Sequence, residues 1–379
     1  MSNYIKRAIS PEILYAHKYY PVVLVTGARQ VGKSTLCRHL FPDYSYVNLE
    51  DSETFLFAHK EPKSFLQSLG EKVIIDEAQR EPQLFSQIQV NVDENPNTRY
   101  ILTGSSDFIL MQNVSQSLAG RIALFTLPPF TFLELPDSYK DLPTEELYFK
   151  GFYPSVVTNQ RPPEIFFRNY YSTYIEKDIR RMVKPENLSK FDMMMRLLAG
   201  RIGSESNASS LSGEIGVTSK TVTEWMSVLE ASYIIFPLRP YYENISKRLS
   251  KMPKWYFYDV GLATYLLGIE NPSQLSYHPL KGALFENMAV AELMKRRLDE
   301  AKDSNLSFYR ERNGMEVDIL QKSPAGLNAF EVKSSKNFIP DYRKNLTYLR
   351  KVLPGKIIED RVVYDGPTME PIAINVRDI

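Results

Sequence analysis

Short uninterrupted apolar runs recur through the first third of the chain: Val22-Val23-Leu24-Val25, Val73-Ile74-Ile75, Tyr100-Ile101-Leu102 and Ile122-Ala123-Leu124-Phe125. Continuous rather than alternating hydrophobicity is the mark of parallel strands covered on both faces. Tyr44–Leu49 adds a further strand, and Thr35–Leu40 opens a helix. The expected fold is therefore α/β, with a parallel sheet at its core. Further on the pattern changes. Pro128, Pro129, Pro136, Pro143 and Pro154 break the chain, and Phe166–Arg181 carries aromatic and charged residues at helical spacing, as a lid would. Leu211 and Ile215, the turn Gly216-Val217, and then Val222, Trp225 or Met226, and Leu229 predict helix, turn, helix, with Thr218 or Ser219 as the cap. Two strands, Tyr233–Phe236 and Lys254–Tyr258, would add a wing. Near the end the period falls to two. Met315, Val317 and Ile319 alternate with Glu316 and Asp318, and Phe330 and Val332 alternate with Glu331 and Lys333. Asn313-Gly314 is a hairpin turn signal. The expected organisation is a core over 1–135, a helical lid or linker over 136–190, a winged-helix middle over 191–272, and a C-terminal α/β domain over 273–379.

The loop after the first strand reads Gly27-Ala28-Arg29-Gln30-Val31-Gly32-Lys33-Ser34, which fits G-x-x-x-x-G-K-[ST] at every fixed position. Strand, glycine loop and helix form a phosphate cradle of inward N–H groups, strengthened by the helix dipole. Lys33 is expected at the β- and γ-phosphates and Ser34 on Mg²⁺, with Thr35 completing the loop's contacts. Asp76 and Glu77 close the strand Val73–Ile75, where ligands gather in open α/β sheets. That placement gives Asp76 to the Mg²⁺ shell and Glu77 to the attacking water. Ser105, or else Thr103, would sense the γ-phosphate. No N-K-x-D motif is present, so ATP is favoured over GTP.

In this order, G-A-R-Q-V-G-K-S, V-I-I-D-E-A-Q, L-T-G-S-S and S-L-A-G-R resemble the AAA-type ATPases of prokaryotes that carry a C-terminal domain of unknown function. The segment Tyr174–Arg180 resembles the same family. The resemblance implies an arginine finger at Arg121, acting in cis or on a neighbouring subunit of a homo-oligomer. Toward the end, G-x-L-F-E at 282–286, E-V-D at 316–318 and E-V-K at 331–333 resemble the PD-(D/E)xK nuclease fold. It implies that Glu286, Asp318 and Glu331 bind Mg²⁺, with Lys333 helping to activate water. Mg²⁺-dependent ATP hydrolysis coupled to DNA is the leading expectation. Its rivals are an ATP-gated DNA endonuclease and a nucleotide-dependent switch or scaffold with an inactive nuclease-like domain. Candidate DNA contacts are Arg180, Arg181 and Lys184, and Lys247, Arg248 and Lys251 between the wing strands.

Composition narrows this only slightly. A length of 379 residues suits two or three domains, and the 43% hydrophobic content is ordinary for a globular protein. A formal charge of +1 excludes a uniformly basic nucleic-acid binder while leaving room for a local basic face. The single cysteine, Cys37, excludes an internal disulfide framework and suits a reducing cytosol. No apolar signal-peptide core follows Lys6 and Arg7, and no run approaches membrane-spanning length. The expected location is cytoplasmic, without a membrane partner.

Overall fold

The structure is a computed structural model that describes residues 4–105, 117–177, 179, 183–242, 251–311 and 314–379. Arg180, Arg181, Lys247, Arg248 and Asn313 lie outside the described residues. The N-terminal sheet contains β1 (Val22–Thr26), β2 (Ser45–Asn48), β3 (Lys72–Asp76), β4 (Arg99–Thr103) and β5 (Ile122–Thr126). All neighbours are parallel, in the order β2-β3-β4-β1-β5. β1 is buried at every residue, which explains its unbroken apolar run. This order puts β4 between the strand that feeds the glycine loop and the strand that ends in Asp76. Three polar termini thus meet at one sheet edge. Gly27 is required there: its φ is 137°, and a Cβ would stand 2.2 Å from the Leu127 carbonyl oxygen.

The expected lid is built of short helices, Asp137–Lys140, Thr144–Lys150 and Pro154–Val157, followed by the longer Pro163–Lys177. Pro154 and Pro163 open their helices, where the missing N–H costs nothing. Helix, turn, helix is present as Ala208–Ile215 and Ser219–Ala231. The Asn207 side chain accepts from Ser210 N at 2.7 Å, Gly216 turns the chain at φ 72°, and Thr218 accepts from Thr221 N at 3.1 Å. Trp225 and Met226 are both buried, so neither alone fills the expected position. β6 (Ile235–Leu238) and β7 (Lys254–Phe257) pair antiparallel. β6 starts later than the aromatic run suggests, because Tyr233 sits at φ 55° and Ile234 N still bonds Leu229 O at the helix end.

The C-terminal sheet is mixed, in the order β12-β11-β10-β9-β8. β8 (Leu306–Arg310), β9 (Glu316–Ser323) and β10 (Gly326–Lys333) run antiparallel. β11 (Ile357–Tyr364) and β12 (Ala373–Asn375) continue parallel to β10, reached through the helix Lys344–Val352. The helix Lys281–Asp299 is buried over most of its surface and carries Glu286. Its Lys295 donates to Phe130 O at 2.6 Å, and its Glu292 accepts from Phe132 N at 3.1 Å. Arg7, also buried, bridges Glu134 at 2.8 Å and the glycine-loop carbonyl of Val31 at 2.9 Å. One apolar cluster runs from Ile9 through Val25, Phe152 and Met288 to Val376. Among the described residues no helix is long and apolar enough to cross a membrane.

Candidate functional site

Gly32, at φ 93°, turns the loop into the helix Lys33–Leu40, so the helix N-terminus faces the sheet edge. Lys33 is buried, and its Nζ donates to Gly27 O at 3.0 Å and Ala28 O at 2.9 Å. Ser34 Oγ donates to Asp76 Oδ1 at 2.9 Å, which joins the glycine loop to the end of β3. Tyr46 OH donates to Asp76 Oδ2 at 2.8 Å, and the buried Thr103 hydroxyl donates to Asp76 Oδ1. Burial, then the bond to Asp76, pushes the Tyr46 phenol well above its usual pKa. The Ser34 hydroxyl beside the Asp76 carboxylate is an all-oxygen pair of the kind Mg²⁺ prefers, so these residues fit that ion.

Glu77 follows directly, held at φ 57°, a left-handed conformation costly for a residue with a Cβ. The Gln79 amide donates to the Glu77 carboxylate and to Ser105 Oγ, the latter at 3.2 Å. Of the two sensor candidates, Thr103 therefore touches Asp76, whereas Ser105 stands beside Gln79. A cavity of about 580 Å³ opens over the loop, lined by Arg29, Gln30, Val31, Gly32, Lys33, Ser34, Thr35 and Glu77 together with Tyr4 and Arg161. That volume lies within the range of small-molecule and cofactor sites. Gly27 and Ala28 contribute through the carbonyls that Lys33 grips. Tyr46, Gln79, Tyr4 and Arg161 were not anticipated from the sequence. Only the proximity of Gln79 to the acidic pair offered any signal for them.

Tyr46 acts on Asp76 from β2, so its hydroxyl bears on how the carboxylate is aimed. Groups that orient a metal ligand in this way typically change metal affinity or activity by 10–100-fold when removed. Tyr46→Phe is expected to raise the Mg²⁺ needed for half-maximal turnover by about tenfold. An Mg²⁺ titration at saturating nucleotide checks this, and an unchanged midpoint would show that Ser34 and Thr103 aim Asp76 unaided.

Arg121 lies elsewhere. Its carbonyl accepts from Val22 N at 3.2 Å, which places it at the start of β1 and β5, at the opposite end of the strands from the glycine loop. At about 3.3 Å per residue, the length of β1 alone separates the two by roughly 15 Å. Its guanidinium grips Asp93 with two bonds, of 2.6 and 2.8 Å, and holds that carboxyl below its usual pKa. The placement disfavours action on the nucleotide of its own chain.

The C-terminal acids do come together. Ile319 pairs with Phe330, so Asp318 and Glu331 are neighbours across β9 and β10. Asp318 Oδ2 accepts from Val332 N at 2.7 Å, and Lys333 donates to Glu331 at 2.7 Å. Glu286 reaches the same place from its helix. An unforeseen residue sits among them. Lys254, the first residue of β7 and only 3% exposed, donates to Glu286 at 3.2 Å and to Glu316. Tyr256 OH also donates to Glu286. Burial alone would lower the Lys254 ammonium, but Glu286, Glu316 and Asp318 outweigh it and hold the pKa above the usual lysine value. Burial, then Glu286 and Glu331, drives Asp318 well above the usual carboxylate range. Among the described residues no three His, Cys, Asp or Glu side chains are placed to hold one metal ion.

Residues 19–135 match the family model of the AAA domain. The N-terminal third has the five-stranded parallel sheet and glycine loop of a P-loop NTPase core. Residues 143–273 and 281–378 match two models described only as domains of unknown function, DUF8612 and DUF4143. An uncharacterized protein of Mycobacterium tuberculosis is 29% identical over 321 residues, which is 83% of this chain and 70% of that protein. An uncharacterized protein of Haemophilus influenzae is 22% identical over 308 residues, 73% of this chain and 74% of the relative. Among solved structures, a Walker-type ATPase of Pyrococcus abyssi shares 18% identity with a TM-score of 0.47, covering 68% of this chain and 94% of that one. The RuvB Holliday junction branch migration motor of Thermotoga maritima shares 16% identity with a TM-score of 0.33, covering 61% of this chain and 89% of its own.

Proposed function

We propose that this protein binds ATP with Mg²⁺ over the glycine loop and hydrolyses it. The observation that carries this reading is the 2.9 Å contact of Ser34 with Asp76 at the wall of a cavity that also holds Lys33 and Glu77. Lys33 exchanges its bonds to the loop carbonyls for phosphate oxygens and neutralises charge on the transferred group. Ser34 and Asp76 would hold Mg²⁺, which would offset charge on the β- and γ-phosphates. Glu77 takes a proton from the attacking water, and Gln79 sets the direction of its carboxylate. Arg161 brings a guanidinium to the same cavity from beyond the core.

DNA is the partner that the middle region favours, because a capped helix, turn, helix followed by a two-stranded sheet is a DNA-docking geometry. The organisation into core, lid, winged helix and nuclease-like domain rests on the same reading. Cutting of DNA is the weaker alternative, since the acids surround a lysine. The test is phosphate release from MgATP with and without single- and double-stranded DNA. Turnover is expected to need Mg²⁺, to vanish in Lys33→Ala, and to rise severalfold with double-stranded DNA. Turnover that survives Lys33→Ala would overturn the site, and indifference to both nucleic acids would overturn the partner.

A further inference from the structure

We propose that the C-terminal acid cluster is a lysine-occupied site: Lys254, delivered by β7, is its resident cation and keeps divalent metal out. Four carboxylates meet there, Glu286, Glu316, Asp318 and Glu331. Lys254, Lys333 and Arg310 answer them, with Arg310 lying 3.5 Å from Glu316. Of these cations Lys254 is the deepest, its side chain only 4% exposed, against 35% for Lys333 and 45% for Arg310. An ammonium holds carboxylate oxygens at hydrogen-bond distance, whereas Mg²⁺ demands them at about 2.0–2.1 Å around one centre. The acids are therefore spread around Lys254 rather than drawn to a common point. Taking that one positive charge away leaves Glu286 and Glu316 without their closest cation.

The same part of the chain packs against one side of the cluster, where Glu286 and Glu316 stay 19% and 24% exposed. Gly203 packs so closely on Glu286 that a Cβ there would lie 3.2 Å from its carboxylate. Gly203 N donates to Trp255 O at 3.2 Å, and the backbones of Glu205 and Lys254 pair antiparallel. Beyond β6, Pro240 pairs with Phe308, and Tyr241 N donates to Phe308 O at 2.6 Å, which covers the outer edge of β8. The cluster is therefore closed to divalent metal while Lys254 is seated among the acids. Lys254 is thereby committed to the acids rather than to a contact with nucleic acid.

The test is Mn²⁺ binding to the full chain, followed by electron paramagnetic resonance, with Asp76→Asn present throughout to silence the nucleotide site. The Asp76→Asn protein is expected to show no binding that depends on Asp318. Adding Lys254→Met should create one site at least about tenfold tighter, and adding Asp318→Asn as well should remove it. An Asp318-dependent ion already present with Lys254 intact would overturn the proposal. So would a folded Lys254→Met protein that gains no ion. Because Lys254→Met leaves carboxylates unpaired and weakens folding, a second measurement uses the unaltered chain. Amine acylation followed by peptide mass analysis should label the exposed Lys251 at least about tenfold faster than Lys254. Equal rates would show that Lys254 is not seated among the acids.

Discussion

Glu77→Gln is expected to bind ATP as the unaltered protein does and to turn it over about 10²–10⁴-fold more slowly, the usual contribution of a positioned general base. The substitution keeps shape and volume, and an amide can still meet Gln79, so the cavity should survive. What disappears is the acceptor for the proton of the attacking water. The strained backbone at Glu77, φ 57°, argues that this side chain is held in place by its surroundings rather than by local preference. Nucleotide affinity from fluorescence titration and single-turnover phosphate release separate the two effects. Unchanged release would mean that Glu77 is only a neighbour of the site.

Arg121 should show its effect between subunits. Its position at the far end of the strands puts its own glycine loop out of reach, so a finger here would act on a neighbouring copy's nucleotide. An arginine finger contributes about 10³–10⁵ in rate. Arg121→Ala alone is therefore expected to approach the loss seen with Lys33→Ala. Mixing the two inactive proteins should restore part of the activity, because some interfaces then combine an intact Lys33 with an intact Arg121. The exposed pair with Asp93 is no obstacle, since exposed ion pairs are readily exchanged. A mixture that co-assembles and stays inactive would make Arg121 a surface arginine tied to Asp93.

The residues legible in the sequence were those whose chemistry is local. Lys33 and Ser34 stand in one loop, Asp76 and Glu77 end one apolar run, and the alternation around Asp318 and Glu331 announces a shared face. Tyr46 and Lys254 were not legible, because their roles depend on partners far away in the chain. Tyr46 looks like one aromatic of an ordinary strand until β2 lies against β3 and brings it to Asp76. Lys254 heads an aromatic strand beside a basic stretch, the usual place for a solvated cation, yet it is buried under acids from two other elements. Arg121 entered only through resemblance, and periodicity alone would have left it a turn residue. β11 and β12 escaped because Ile357–Tyr364 mixes charge and apolar residues without clean alternation, its partners covering it unevenly.

The apolar cluster that runs from Ile9 to Val376 has a thermodynamic consequence. Cooperative units open separately only where few buried contacts cross between them. Here Arg7, the glycine-loop carbonyl of Val31, Phe130 and the Lys281–Asp299 helix share one interior. Opening either region where it enters this cluster exposes apolar surface in the other, whereas the far faces of the two sheets pack in clusters of their own. A displacement of the glycine loop is not absorbed by a soft linker. It arrives at the helix that carries Glu286.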